Sequence, residues 1–228
     1  MNNCYFFNKL HFNSGIFDKS IDATYIIHLK GNGRIENIYN QLDQFQPTNT
    51  VYILFNNGFK KCTKKLPEQT TTHDLVDAFI TIFKHADLNG YDNILILEDD
   101  FIFDNEIKNV LVQKDINAFL NYNKETSFIY YLGCLPFLRV GSLTNHNRIL
   151  LSSEAQSCVY SKSMRSYTYT IDRDSIFDWD VYLNMYPFGF TRYGYYKQLC
   201  SQLHLYTENS DNWWNPLGMA DIFKKLKN

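Results

Sequence analysis

Short apolar runs alternate along the chain with segments whose apolar residues recur at helical spacing. The runs that predict strands are residues 25–29, 51–55 and 93–97. The first helix is predicted by apolar residues spaced by three, four and three positions, namely Ile35, Ile38, Leu42 and Phe45. A second helix is predicted by apolar residues at helical spacing over residues 75–86, and Asn89–Gly90 is expected to end it. Continuous apolar runs are typical of strands covered on both faces, so we expect an α/β fold with a mostly parallel central sheet flanked by helices.

The second half of the chain is less regular. Strands are predicted over residues 127–135 and 156–161, with a hairpin or a long loop between them. A short helix is expected to begin near Asp180, and the C-terminus is expected to form a loop and a small amphipathic tail. Because no repeat, linker or break in composition divides the 228 residues, we expect a single domain over residues 1–228.

Composition and charge narrow the possible partners. The net charge is −2, which gives no indication of binding to nucleic acid. No stretch approaches 18 apolar residues and no signal peptide is evident, so we expect no membrane span and a cytoplasmic location. Aromatic residues make up 17% of the chain, which fits either an aromatic core or a groove for sugars or bases.

The five cysteines are expected to be free thiols. Their number is odd, and no two form a CxxC pair. This spacing argues against a zinc site and against a disulfide framework.

The segment "NILILEDDFIF" (93–103) places three consecutive acids directly after a buried strand. In an open parallel sheet, ligands bind at the carboxyl ends of the strands. Strand alternation would place Glu98 and Asp100 on one face and Asp99 on the other. A carboxylate pair at this edge suits Mn²⁺ or Mg²⁺, which takes its remaining ligands from water and a diphosphate. The alternative, an acid that caps the following helix, is the role expected for Asp104.

Other kinds of site are less consistent with the sequence. "GNG" at 31–33 lacks the third glycine and the later acid of a dinucleotide-binding motif, and no P-loop is present. A metal-dependent nuclease or nucleotidyltransferase would also use clustered carboxylates, but usually with a basic groove. A sugar-binding module without catalysis would explain the aromatic residues but not the acids at the end of the strand.

The stretch "HDLVDAFITIFKHADLNGYDNILILEDDFIF" resembles the GT-A class of nucleotide-sugar glycosyltransferases, in which a buried strand ends in an acidic motif. "ILEDD" is most similar to glycosyltransferase family 25, the lipopolysaccharide and collagen galactosyltransferase type, and to small virus-encoded relatives. "TYIIHLKGNGRIENI" resembles the opening strand of that family, with His28 in place of the usual Asn. "EAQSCVYSKSM" and "DWDVYL" resemble its later strand and its downstream Asp motif.

The resemblance implies a GT-A, Rossmann-like fold and a UDP-sugar donor whose hexose passes to a glycan or protein-linked acceptor. Residues 24–112 would bind the nucleotide sugar and residues 113–228 the acceptor. Asp100 would bind the metal, and Glu98 would share the metal or hold the ribose. His204 is a further candidate metal ligand, with a role in the core as its alternative. Asp99 would orient the groups that bind the metal and the nucleotide sugar, or contact them through another group.

The same resemblance implies the nucleotide contacts. Leu29, Lys30 and Arg34 would lie at the nucleotide, where Arg34 could meet phosphate charge. Thr72 and Asp74, within residues 71–74 at a helix start, would lie beside the ribose.

Transfer with inversion also needs a general base for the acceptor hydroxyl. The candidates are Asp180 and Asp178, with Glu154 third, and a helix-capping role is the alternative for Asp180. Trp213 and Trp214 could form a wall on which the acceptor stacks, or a hydrophobic clamp for the C-terminal tail.

Overall fold

The computed structural model describes residues 4–185 and 188–203. Its strands are β1 (Tyr5–His11), β2 (Ala23–Leu29), β3 (Thr50–Asn56), β4 (Asn93–Glu98), β5 (Phe101–Phe103), β6 (Phe128–Val140), β7 (His146–Ser161), β8 (Thr191–Tyr195) and β9 (Cys200–Gln202). Its α-helices are α1 (Ile35–Phe45), α2 (Thr71–Leu88), α3 (Val110–Tyr122), α4 (Lys162–Thr168) and α5 (Trp179–Met185). None of the helices within these ranges is long and apolar enough to cross a membrane.

A seven-stranded sheet in the order β1-β3-β2-β4-β7-β6-β8 runs through the described residues. The pairs β3–β2, β2–β4 and β6–β8 are parallel, whereas β1 and β7 run antiparallel to their neighbours. Five of the seven strands therefore point the same way. The prediction of an α/β fold with a mostly parallel central sheet flanked by helices is confirmed.

Helices cover both faces of the sheet. Helices α2, α4 and α5 pack on one face, which we call the α2 face, through residues such as Phe79, Met164 and Trp179. Helices α1 and α3 cover the other face, the α1 face, through residues such as Ile38 and Ile116. Alternate residues of each central strand enter the two clusters, which explains why these strands are apolar throughout.

The helix boundaries follow from local chemistry. Helix α1 begins at Ile35, as predicted, after two glycines with positive φ, Gly31 at 91° and Gly33 at 80°. Helix α2 begins at Thr71, earlier than the apolar spacing alone indicated, because the Thr70 side chain accepts a hydrogen bond from His73 N.

Residues 139–155, predicted as a hairpin or a long loop, belong to the long β6–β7 hairpin. Its register shifts at Cys134, since Gly133 pairs with Ser157 and Leu135 pairs with Ser153. The extra residues of β7 bulge outward, and Glu154 within the bulge has a φ of 63°. The predicted short helix is α5.

The prediction that the cysteines are free is wrong for one pair, because Cys4 and Cys62 form a disulfide. Strand β1 pairs with β3 from Tyr5 opposite Asn56, which brings Cys4 to the loop that follows β3. The two Cα atoms are 5.7 Å apart, although 58 positions separate the residues in sequence. Sequence spacing could not reveal this pair because β1 itself had not been predicted. Cys134, Cys158 and Cys200 are free, as expected.

We expect Cys4→Ser to lower the free energy of unfolding by about 2–4 kcal/mol under oxidising conditions, because the bond closes a long loop in the unfolded chain. Denaturant unfolding with and without a dithiol reductant measures this. The reductant should bring the parent protein down to the stability of the variant and leave the variant unchanged. Equal stability of both proteins without reductant would contradict the assignment.

Candidate functional site

The candidate site lies along the sheet edge where β2, β3 and β4 end. These strands are parallel neighbours, so the turns that follow them meet at one edge. Strand β7 is antiparallel to β4 and therefore brings its bulge to the same edge. The loop after β3, the turn after β2, the acids after β4 and the bulge of β7 thus lie in spatial order across four adjacent strands.

The acidic turn differs from the prediction made by strand alternation. Strand β4 ends at Glu98, so Asp99 and Asp100 belong to a turn and do not alternate between faces. Arg34 instead joins the two aspartates, since its Nη1 lies 3.0 Å from Asp99 Oδ1 and 3.1 Å from Asp100 Oδ2. The expected separation of Asp99 from Asp100 on opposite faces is therefore wrong, whereas Glu98 is close enough to Asp100 for their charges to interact.

Asp99 holds the turns of β2 and β4 together. Its Oδ2 accepts hydrogen bonds from Asn32 Nδ2 at 2.6 Å and Leu29 N at 3.1 Å. His28 Nδ1 lies 3.0 Å from the same oxygen and must be the donor, because an ionised carboxylate only accepts. Burial alone would raise the pKa of Asp99, but hydrogen bonds from His28, Asn32 and Arg34 outweigh it and hold the pKa below its usual value. His28 thus has a hydrogen-bond partner at the acidic turn.

Asp100 and Glu98 are less well compensated. Burial raises the pKa of Asp100 to about 6, although the Arg34 charge opposes the shift. Its Oδ1 is buried and has no hydrogen-bond partner among the described residues. Burial raises the pKa of Glu98 well above its usual value, and the charges of Asp100 and Asp180 add to the shift. The end of β4 therefore holds more carboxyl groups than Arg34 can pair.

Asp180 fixes the bulge of β7. Its Oδ2 accepts from Glu154 N at 2.8 Å, and its Oδ1 accepts from Ala155 N at 3.1 Å. The helix-capping role belongs to Asp178 instead, whose Oδ1 accepts from Val181 N at 3.0 Å. Burial, followed by the Asp178 charge, raises the pKa of Asp180 to about 6.

Four carboxylates from three elements thus share one region of the edge. Glu98 is influenced by the charges of Asp100 and Asp180, and Asp100 by that of Glu154. No three metal-binding side chains come together as a complete protein cage within residues 4–185 and 188–203. Mg²⁺ sites commonly use one or two carboxylates with water and substrate phosphates, and the unpartnered Oδ1 of Asp100 fits such a partial ligand set.

A cleft of about 460 Å³, its open mouth included, adjoins the acidic turn. Its lining residues are Leu29, Lys30, Gly31, Asn32, Asn57, Gly58, Phe59, Lys60, Lys61, Thr71 and Asp74. Three predicted nucleotide contacts, Leu29, Lys30 and Asp74, lie together here. Thr72 and Arg34 are not among the lining residues, and Arg34 contacts the acids instead.

The loop of residues 57–61 was missed as part of the site. Two lysines shortly after a strand end, Lys60 and Lys61, are the sequence signal that could have indicated an anion site here. Asp74 holds this loop, since it accepts from Phe59 N at 3.1 Å and forms a buried ion pair with Lys64. Because Lys30, Lys60 and Lys61 line the cleft, it is basic, and it lies beside the acidic turn.

Three predicted residues, His204, Trp213 and Trp214, lie outside the described residues. Leu203, the residue before His204, donates its backbone N–H to Asp100 O at 2.8 Å. Strand β9 pairs with β5, the strand that follows the acidic turn, and thereby places Leu203 at this edge.

Comparisons with known proteins give distant matches of structure. No protein-family model and no curated protein matches the sequence. Among solved structures, A197 from STIV is 12% identical with a TM-score of 0.43, covering 82% of this chain and 86% of that one. An apo UDP-glucose pyrophosphorylase is 9% identical with a TM-score of 0.40, and the match covers 90% of this chain and 82% of that one. A putative glucose-1-phosphate thymidylyltransferase from Bacillus anthracis, in complex with a sucrose, is 12% identical with a TM-score of 0.37. That match covers 77% of this chain and 69% of that one. Similarity at this level does not bear on function, and the fold class follows from the strand order itself.

We expect Asp99→Asn to destabilise the protein by about 1–3 kcal/mol at neutral pH, because it removes an ionised acceptor from several buried donors. Since the pKa of Asp99 is lower in the folded protein, its contribution is present at neutral pH and is lost as the pH falls through that lowered value. Denaturant unfolding from pH 7 down to about 3 checks this. A difference between the two proteins that grows as the pH falls would contradict it.

Proposed function

We propose that the protein is a metal-dependent glycosyltransferase that moves a hexose from a UDP-sugar to a glycan or protein-linked acceptor, with inversion. The observation that supports this most directly is the arrangement of a lysine-lined cleft beside a buried, unpartnered carboxylate oxygen of Asp100. A nucleoside diphosphate that lies in the cleft would reach the acidic turn with its phosphates. The carboxyl groups there that Arg34 does not pair would bind a cation that a diphosphate can share.

The nucleotide would lie in the cleft between the ends of β3 and β2. Lys30, Lys60 and Lys61 line this cleft and would offset the charge of the phosphates. Phe59 also lines it and offers a ring on which a base can stack. Leu29 and Asp74 also line the cleft and would lie beside the nucleoside. Asp99 and Arg34 would act by holding the turns in position.

Asp100 would hold Mn²⁺ or Mg²⁺, with Glu98 as a second ligand and His204 as a further candidate. The ion would supply positive charge that stabilises the nucleoside diphosphate as it leaves. The pKa of about 6 for Asp100 leaves its carboxylate largely ionised at neutral pH and able to act as a ligand.

Asp180 is the residue we propose as the general base. Its pKa of about 6 is near the pH at which a base accepts a proton effectively. Asp178 caps α5 and would act through the position of that helix. Glu154 is the competing base, because its backbone is held by Asp180 and its charge is close enough to influence Asp100.

The acceptor would bind the half of the chain after residue 112. A second cavity of about 510 Å³ opens between β6, β7 and β8, and Arg139, Tyr195, Tyr196 and Lys197 are among its lining residues. Tyrosine rings with nearby cations suit a polar sugar chain. Residues 24–112 would form the donor half of one domain.

A cytoplasmic location remains a prediction. The Cys4–Cys62 bond weighs against it, because stable disulfides are rare in the reducing cytosol.

We expect UDP with Mn²⁺ to raise the Tm of the protein, because a ligand that binds only the folded state stabilises it. Asp100→Ala should lose the part of the shift that depends on Mn²⁺, whereas Asp43→Ala, which changes an exposed acid on α1, should keep it. Thermal unfolding with UDP, Mn²⁺ and both together measures this. No shift with any nucleoside diphosphate and metal would contradict the proposed function.

We expect Asp180→Asn to reduce the rate of transfer by about 100-fold or more while UDP-sugar binding persists, since the base acts only on the acceptor. Transfer by the parent protein should fall as the pH drops below about 6, where both Asp180 and the proposed metal ligand Asp100 become protonated. A panel of UDP-hexoses and acceptors identifies the assay pair. If Glu154→Gln abolished transfer and Asp180→Asn did not, the base would be Glu154.

A further inference from the structure

Gln156 is fully buried, yet its side chain is unsatisfied. Its exposed fraction is 0%, and neither its Nε2 nor its Oε1 has a hydrogen-bond partner in the described part of the chain. A buried amide without partners costs folding free energy, and an apolar side chain of the same shape would avoid that cost. A polar residue at such a position therefore indicates a partner that is not among residues 4–185 and 188–203.

The strand register places Gln156 beside the acidic turn. The antiparallel β4–β7 ladder ends where Ser157 pairs with Leu97, so Gln156 and Glu98 are the next residues of their strands beyond that last pair. Ile96 of β4 belongs to the cluster on the α2 face, so alternation places Glu98 on that face. Ala155 and Cys158, which lie on either side of Gln156 in β7, belong to the same cluster.

A second unpartnered group lies nearby on the same face. Tyr131 is 2% exposed, and its hydroxyl also makes no hydrogen bond within 3.5 Å among the residues described, although Ser152 lies near enough to influence its pKa. Tyr131 pairs with Cys158, which is two positions from Gln156 on β7, and both residues belong to the α2-face cluster. Two buried polar groups without partners thus occur in neighbouring positions of β6 and β7.

The order of the strands shows where Gln156 lies relative to the proposed donor. Moving along the edge from β3 to β7, the basic cleft comes first, then the acidic turn, and then Gln156. A nucleotide at the cleft with its diphosphate at the acidic turn would present the next part of the molecule, the sugar, to β7.

We propose that Gln156 binds the hexose of the donor and selects it by hydrogen bonds to a pair of adjacent hydroxyl groups. An amide offers one acceptor, Oε1, and one donor group, Nε2, side by side. Two neighbouring hydroxyls of a neutral pyranose match that pair, since one can donate to Oε1 while the other accepts from Nε2. The inference rests on the proposed function, and it adds the contact that determines which sugar is accepted.

The first test needs no ligand. Gln156→Met should leave the Tm of the ligand-free protein unchanged or raised, because it removes unpaired polar atoms and keeps the volume. Gln41→Met is the matched control, because Gln41 is also buried but its Oε1 accepts from Phe103 N at 2.9 Å, and this change should lower the Tm. A Tm loss in Gln156→Met as large as that of the control would overturn the inference, since it would show that the amide is already paired within the fold.

The second test measures binding of UDP, of UDP-hexoses and of analogues that each lack one hydroxyl, all with Mn²⁺. The parent protein should bind one UDP-hexose about tenfold or more tightly than UDP, and removal of either of two adjacent hydroxyls should abolish that gain. Gln156→Met should bind UDP as the parent does and lose the gain from the sugar. Should this variant fail to fold, Gln156→Leu replaces it, and the analogue series on the parent protein still tests the contact.

The outcomes separate the two proposals. If UDP does not bind to the parent protein, the proposed function fails, and the role of Gln156 fails with it. If UDP binds but no hexose adds affinity, or if the gain persists in Gln156→Met, only the role of Gln156 is overturned.

Discussion

Buried negative charge at the end of β4 is the constraint on which the site depends. A carboxylate removed from water must be paired or hydrogen-bonded, or else its pKa rises. Asp99 is satisfied by the turn of β2 and by Arg34, and its pKa is lowered. Asp100 and Glu98, from the same acidic run, are not satisfied to that degree, and their pKa values are raised. One acid therefore holds the edge together, and the other two remain available for a cation.

Basic and acidic side chains lie close together along the same edge of the sheet. The loop after β3 supplies lysines and a phenylalanine, and Asp74 and Lys64 hold that loop from beneath. The Cys4–Cys62 bond ties the loop to the edge strand β1. On the other side of the acidic turn, Asp180 fixes the bulge of β7 through two backbone N–H groups. A donor with a base, a diphosphate and a sugar would meet a different environment at each of its three parts.

Sequence patterns predicted the elements from β2 to β4 well, because these strands are covered on both faces and the helices between them have one apolar stripe, but they missed β1. They also indicated the acidic turn as the candidate site, because three adjacent carboxylates after a buried strand are costly unless positive charge or hydrogen bonds offset them. Alternation failed at Asp99, because a turn replaces the strand there and Arg34 joins two side chains that a strand would separate. The disulfide, the lysine loop and the pairing of Asp180 with the bulge all depend on contacts between distant segments. Gln156 could not be recognised from sequence at all, since only the fold shows that its amide is buried and unpaired.

The central claim is that the acidic turn holds a divalent cation together with a nucleoside diphosphate. Counting bound Mn²⁺ by electron paramagnetic resonance, with and without UDP, tests it most directly. The account predicts one ion per chain that binds more tightly when UDP is present, and predicts that Asp100→Ala loses this ion. Binding of Mn²⁺ that is absent, or that is unaffected by both UDP and Asp100→Ala, would contradict it.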